Sequence, residues 1–292
     1  MEQKPNQWRF LNTQFGNAFF NMAVDEAVVR SVERGAAPPT FRVFGWTPPA
    51  VSFGYAQRVS REVDLDQCRA LGVDVVRRPS GGRAVLHWNE LTYSVLCSGH
   101  DPLLGGAVQE AYRKISACLV AGVRCLGANA RLESRRQPVP SPRGKRLTSP
   151  CFSSTTQYEV TLGGRKLIGS AQRRLGDMLL QHGSLLIGPE HKQLVNLLPQ
   201  NQDALQARFR RELDRHTVSL QEDLDRPVSF EAVAGALRAG FQETLDIPLT
   251  EAPLSPDEEA DVERLVREKY GTDAWNFKDR KKELQVPRRI IT

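Results

Sequence analysis

The residues of this chain that could do chemistry fall into two clusters. The first is Arg77-Arg78-Pro79-Ser80-Gly81-Gly82-Arg83. Paired glycines at a tight turn between strands let a ligand approach the main chain closely and present peptide N–H groups to it. Taken alone, a diglycine serves equally well as a structural turn. The second cluster is Pro150-Cys151-Phe152, then a Gly163-Gly164 hairpin signal, then Lys166 and the run Gly169-Ser170-Ala171-Gln172. A thiolate is a strong nucleophile, and a nearby ammonium would lower a thiol pKa from about 8.5 toward 7, raising the thiolate share from a few per cent to about half.

The hairpin sets the register of the second cluster. With Gly163-Gly164 as a two-residue turn, Leu162 faces Arg165 and Thr161 faces Lys166. Lys166 then shares a sheet face with Glu159 and Thr161, and pairing with Glu159 is its structural role. The hairpin cannot by itself carry the Cys151 thiol to the ammonium; the preceding loop has to fold back. Cys68, Cys118 and Cys125 sit on amphipathic helical patterns and Cys97 on an apolar strand, so these four read as buried, inert thiols. His87 and His182 read either as hydrogen-bonded structural histidines or as groups that orient an incoming amine or take its proton.

Other chemistries are excluded by what is missing. There is no GxxxxGK[ST] and no strand followed by GxGxxG and a helix, so neither a P-loop nor a dinucleotide fold is expected. Five cysteines without a CxxC pair suggest neither a disulfide framework nor a zinc site, and no metal is expected.

The elements that must position these clusters can be read from periodicity. Strands are expected at 8–11, 41–46, 51–55, 73–78, 84–87, 91–97, 158–162, 166–172 and 178–187, and helices at 17–34, 64–71, 109–126, 190–198, 230–245 and 256–270. The order is neither a regular strand–helix alternation nor a repeat. It predicts an α+β fold with mixed or antiparallel sheets flanked by helices, residues 1–250 forming the catalytic domain and 251–292 a C-terminal helical extension packing on it.

The chain has 292 residues, 40% of them apolar, and a formal charge of +6. The charge is concentrated. Residues 131–146 hold six basic side chains against one acidic, and 275–292 hold six against two, which leaves the rest slightly acidic and without the basic face of a nucleic-acid binder. Segment 135–149, with three prolines, reads as a surface loop. No apolar run approaches the roughly 18 residues of a membrane span, and MEQKPNQWRF lacks the apolar core of a signal peptide, so a cytoplasmic protein is expected, with neither membrane nor nucleic acid as a partner.

The segments RRPSGGRAVLHWNELTYSV at 77–95 and CFSSTTQYEVTLGGRKLIGSAQRRLGDMLLQHGSLLI at 151–187 strongly resemble the lipoate–protein ligase/biotin–protein ligase catalytic-domain superfamily, most of all its octanoyltransferases. The likeness runs from WRF and FNMAVDEAV near the start, through FGW and SFGY, to WNF at 275–277. The resemblance implies an acyl-binding pocket bordered by Arg78, Gly81, Gly82, Gly169, Ser170 and Ala171, with Lys166 contacting the acyl carbonyl and lowering the pKa of the cysteine at position 151. His87 and His182 are pocket candidates. Many ligases have a third glycine and an HD pair where this chain has Arg83 and His87-Trp88, which counts against a ligase-like adenylate site.

The implied activity is ping-pong acyl transfer without a cofactor. Octanoyl-acyl carrier protein would be the donor, and a lysine of a lipoyl domain, such as glycine cleavage H protein or a 2-oxoacid dehydrogenase E2, the acceptor. An ATP-dependent lipoate ligase and a lipoyl relay between carrier domains are the alternatives. Because carrier and lipoyl domains of this pathway are typically acidic, Arg135, Arg136, Arg143, Lys145 and Arg146 are expected to help dock them.

Overall fold

Asn17 opens the first helix by accepting a hydrogen bond from the Phe20 amide, and Ala18, Met22, Ala23, Val24, Ala27 and Val28 recur on the face it buries. A computed structural model describes residues 7–134, 158–199 and 203–278. Along these the chain forms β1 (Trp8–Gly16), α1 (Ala18–Glu33), β2 (Thr40–Trp46), β3 (Ala50–Phe53), α2 (Val59–Glu62), α3 (Leu65–Ala70), β4 (Asp74–Arg77), β5 (Val85–His87), β6 (Glu90–Ser98) and α4 (Val108–Cys125). It continues with β7 (Arg131–Ser134), β8 (Tyr158–Leu162), β9 (Arg165–Leu175), β10 (Met178–Leu186), a 3-10 helix Pro189–Leu197, α5 (Asp203–His216), α6 (Leu220–Leu224), α7 (Phe230–Leu245), β11 (Leu249–Glu251), α8 (Pro256–Leu265) with a π-type turn Val266–Tyr270, and α9 (Asp273–Asn276).

Eight strands make one mixed sheet in the order β11-β1-β2-β6-β10-β9-β8-β7, and β4-β3-β5 make a second, smaller sheet. One face of the large sheet buries its apolar side chains against α4 and α7. The opposite face packs on α1, against which α8 and the π-type turn also lie. The small sheet shares its apolar cluster with the 3-10 helix through Leu194 and Leu197. This is the expected α+β architecture. Residues 256–276 are tied into the body by the buried pair Arg9–Glu258 at 2.7 Å and by Tyr270, whose hydroxyl donates to Glu26 at 2.6 Å.

Several expectations need correction. The first strand runs on to Gly16, past the polar residues Asn12-Thr13-Gln14, where its pairing with β2 shifts register between Asn12 and Phe15. Arg131–Ser134, not among the expected strands, is one, because it pairs antiparallel with β8. The helix expected at 190–198 is a 3-10 helix over Pro189–Leu197 rather than an α-helix. α5, α6, β11 and α9 carry too few apolar residues in period to be read from the sequence. Cys68, Cys97 and Cys118 are buried, and burial pushes Cys68 up to about 11 and Cys118 to about 12. Cys125 is exposed: α4 packs on α7 through Gly122, and Cys125 is its last residue.

Candidate active site

A cleft enclosing about 600 Å³ of atom-free space, mouth included, opens between the small sheet and the α1 side of the large one. Its wall is the turn after β4. Arg78 lines the cleft, but its guanidinium is spent on the turn itself: Nε and Nη2 donate to the Gly81 carbonyl at 3.1 and 2.8 Å, Nη2 to the Arg83 carbonyl at 2.7 Å, and Nη1 to the Ser52 carbonyl at 2.9 Å. Gly82 sits at a φ of 94°, in the region that favours glycine. A Cβ on Gly54 would run into the Gly82 carbonyl, so the FGY segment needs its glycine for the turn to close down on it.

Arg77 anchors the same turn from behind. Its guanidinium donates to the carbonyls of Tyr55 and Gln57 at 2.6 and 2.9 Å, and of Trp275, Asn276 and Lys278 at 3.1, 2.9 and 2.9 Å. The Asn276 side chain accepts from the Arg77 amide, and the Trp275 indole donates to its carbonyl. WNF is therefore a backing strip for the turn at 77–83, about two hundred residues away in sequence.

His87, at the end of β5, stacks on Trp46 at 4.1 Å and bonds Ser52 through Nε2 at 2.8 Å. Burial pushes it below its ordinary pKa, against the opposing pull of Glu90, whose carboxylate is 3.6 Å from Nδ1. Neutral His87 thus braces the wall and lines the cleft.

The floor comes from β9, β10 and β6. Gly163 and Gly164 both have positive φ, as a type I′ hairpin turn requires, and the pairs Thr161–Lys166 and Leu162–Arg165 stand opposite each other as the sequence predicts. Lys166 Nζ meets Glu159 at 3.0 Å, both side chains buried. Lys166, Gly169, Ser170 and Ala171 all line the cleft, and Ser170 is fixed by a 2.7 Å bond to the Tyr93 hydroxyl. Gly183 completes the floor; a Cβ there would lie 2.6 Å from the Gly169 carbonyl.

His182 joins floor and wall. Its Nε2 is 2.5 Å from Ser80 Oγ in the turn, and its Nδ1 is 3.3 Å from Asp25 Oδ2 on α1. Asp25 also accepts from Arg42 at 2.6 Å and from Ser94 at 2.8 Å. Burial alone would raise the Asp25 carboxyl, but Arg42 and His182 outweigh it and hold it below the usual carboxylate range. An ionised Asp25 can only accept, so His182 Nδ1 donates to it, while Nε2 and the Ser80 hydroxyl share the second hydrogen bond.

Arg78, Gly82, His87, Lys166, Gly169, Ser170, Ala171 and His182 are therefore gathered in one cleft, with Gly81 in its wall. Cys151 lies outside the described residues, as do Arg135, Arg136, Arg143, Lys145 and Arg146. Sequence reasoning missed Asp25, Ser80, Met22, Trp46 and Gly183. Asp25 had one legible signal: a carboxylate on the apolar face of an amphipathic helix needs a buried partner.

Residues 17–242 match the model of the lipoyl protein ligase A/B catalytic domain. The chain belongs to this family. It is 44% identical over 275 residues to octanoyltransferase LipM of Kyrpidia tusciae, covering 93% of this chain and 98% of that one, and 40% identical over 276 residues to octanoyltransferase LipM of Geobacillus kaustophilus, again 93% and 98%. Among solved structures, the bipartite lipoate protein ligase of Thermoplasma acidophilum superposes with a TM-score of 0.76 at 25% identity, over 93% of this chain and 96% of that one. A lipoate-protein ligase A bound with ATP superposes at 0.72 with 28% identity, over 94% and 99%.

Proposed function

We propose that the chain transfers an octanoyl group from octanoyl-acyl carrier protein to a lysine of a lipoyl-domain acceptor, through a thioester on Cys151, and so initiates protein lipoylation. The observation that carries the reading is one cleft bounded by the RRPSGG turn on one side and by the Lys166–Ala171 strand on the other, in a chain similar over its length to octanoyltransferases. In the first half-reaction the Cys151 thiolate attacks the donor carbonyl, the C–S bond to the carrier breaks, and the carrier sulfur leaves as a thiol with the proton that Cys151 gave up, while the acyl group stays on the enzyme. In the second, the neutral lysine amine attacks, the C–S bond breaks, and the nitrogen proton passes to the departing sulfur, leaving an amide and the free thiol. In this reading Lys166 and the peptide N–H groups at 81–82 polarise the carbonyl.

Burying most of an eight-carbon chain contributes roughly 5 kcal/mol, at about 0.8 kcal/mol per methylene, enough to reject much shorter acids. A thioester is already activated, so the transfer needs no ATP. Glycine cleavage H protein or a 2-oxoacid dehydrogenase E2 is the proposed acceptor, and the basic residues of 135–146 the proposed carrier dock. The test is transfer from octanoyl carrier protein with ATP withheld. Transfer that is lost in Cys151→Ala supports the reading; transfer that requires free octanoate or lipoate with ATP and releases pyrophosphate replaces it with a ligase, and transfer only from a lipoyl or octanoyl carrier domain replaces it with a relay.

A further inference from the structure

Helix α5 turns one face to the protein and the other to solvent. Phe209 and Leu213 bury the inner face in the core, and at about 100° per residue Arg208, Arg211 and Arg215 fall within about 60° of one another on the outer face, all three exposed. On α1, α3 and α8 a solvent-facing arginine is matched by a carboxylate three or four residues away, in the pairs Arg30–Glu26, Arg69–Asp66 and Arg264–Asp261. The three on α5 have no such partner among the described residues: Glu212 faces His216 at 3.4 Å and Asp214 faces Lys192 at 3.3 Å. A row of guanidinium groups therefore presents uncompensated positive charge along about 11 Å of surface.

The stripe leads to the Lys166 end of the cleft. α5 ends at His216, and the next residue, Thr217, forms a parallel bridge with Lys166, whose carbonyl accepts from the Val218 amide at 3.1 Å. At about 1.5 Å per residue, Arg215 lies about 3 Å and Arg208 about 14 Å along the helix from Thr217. A carrier protein presents its acyl thioester on a phosphopantetheine arm, about 17 Å long when fully staggered, so its body rests at about that distance from the reacting carbonyl. An acceptor lysine reaches only about 6 Å and brings its own domain to the mouth of the cleft. The span of the stripe suits the carrier, and its sign suits an acidic surface.

We propose that Arg208, Arg211 and Arg215 dock the body of the acidic carrier protein that delivers the acyl thioester. The inference rests on the transferase reading above, with Lys166 beside the acyl carbonyl, and it adds a contact to the one proposed for residues 135–146.

The experiment measures the Kd of octanoyl carrier protein at low ionic strength, its KM and kcat, and the KM of the acceptor domain, in the native enzyme and in a variant combining Arg208→Glu, Arg211→Glu and Arg215→Glu. The carrier Kd and KM should rise by about 10-fold, while kcat at saturation stays within about twofold and the acceptor KM stays native. Added salt should weaken carrier binding to the native enzyme more steeply than to the variant. Lysine at all three positions, which keeps the charge, should retain the native Kd. Arg211→Glu alone, with an expected rise of about threefold, takes the place of the triple variant if that one does not fold. A native carrier Kd in the folded glutamate variant overturns the dock. So does a rise in the acceptor KM in place of the carrier's, which assigns the stripe to the lipoyl domain, and so does a loss confined to kcat, which leaves α5 a prop for Lys166. A native enzyme that binds the carrier through the stripe yet transfers no octanoyl group overturns the transferase reading and leaves the carrier dock standing.

Discussion

The floor of the cleft is tied down by main-chain ladders, β10 pairing with β9 on one side and with β6 on the other along its length, whereas the wall at residues 77–83 hangs on two arginine side chains that reach carbonyls as far as 201 residues away. A ladder distributes its hold over many peptide groups, and no single side chain is decisive. The wall concentrates its hold in Arg77 and Arg78, side chains that brace the turn from behind and from within. The difference separates residues that keep the protein folded from those proposed to handle the acyl group, even within one seven-residue motif.

The largest effect is expected at Arg77. Arg77→Met strips six carbonyls, that of Gly54 included, of their donor and frees the WNF strip, and should lower stability by about 3–5 kcal/mol in urea melts. No floor residue should match it.

Next comes acid sensitivity of the 3-10 helix that supports the small sheet. Burial pushes His191 down to about 4. The unfolded chain takes up this proton first, near pH 6.5, so the stability is present above about 6.5 and lost as pH falls toward 4, on the order of 3 kcal/mol in all. Equilibrium melts across that range should show the slope, and His191→Gln should flatten it.

On the floor, Gly183→Ala drives a methyl against the Gly169 carbonyl and Ser170 Oγ, within a ladder that cannot shift, and should destabilise by about 1–3 kcal/mol in thermal melts. Gly81→Ala meets nothing within 4 Å and should change stability by less than about 0.5 kcal/mol while raising the donor KM. If Gly81→Ala unfolded the protein as readily as Gly183→Ala, the distinction between wall and floor would fail.

How much of this was legible follows the range of the interactions. The hairpin, the Lys166–Glu159 pairing and the first helix are set by residues within about one turn or one strand of each other, and periodicity with two glycines suffices to read them. Asp25 and His182 are 157 residues apart, and Arg77 and Asn276 are 199 apart. No local pattern links such pairs; only the fold does. The helix 203–216 went unread for a different reason, since Phe209 and Leu213, its buried apolar residues among the described ones, stand in a run dominated by charge. The resemblance carried what periodicity could not, bringing the diglycine turn and the Gly169–Ala171 strand to one place.

The central claim is a thioester on Cys151, and intact-mass measurement tests it most directly. After incubation with octanoyl carrier protein and no ATP, the native chain should gain the mass of one octanoyl group, released by hydroxylamine and absent from Cys151→Ala. An unmodified native chain that nonetheless octanoylates a lipoyl domain at full rate, or a Cys151→Ala chain that does so, would contradict it.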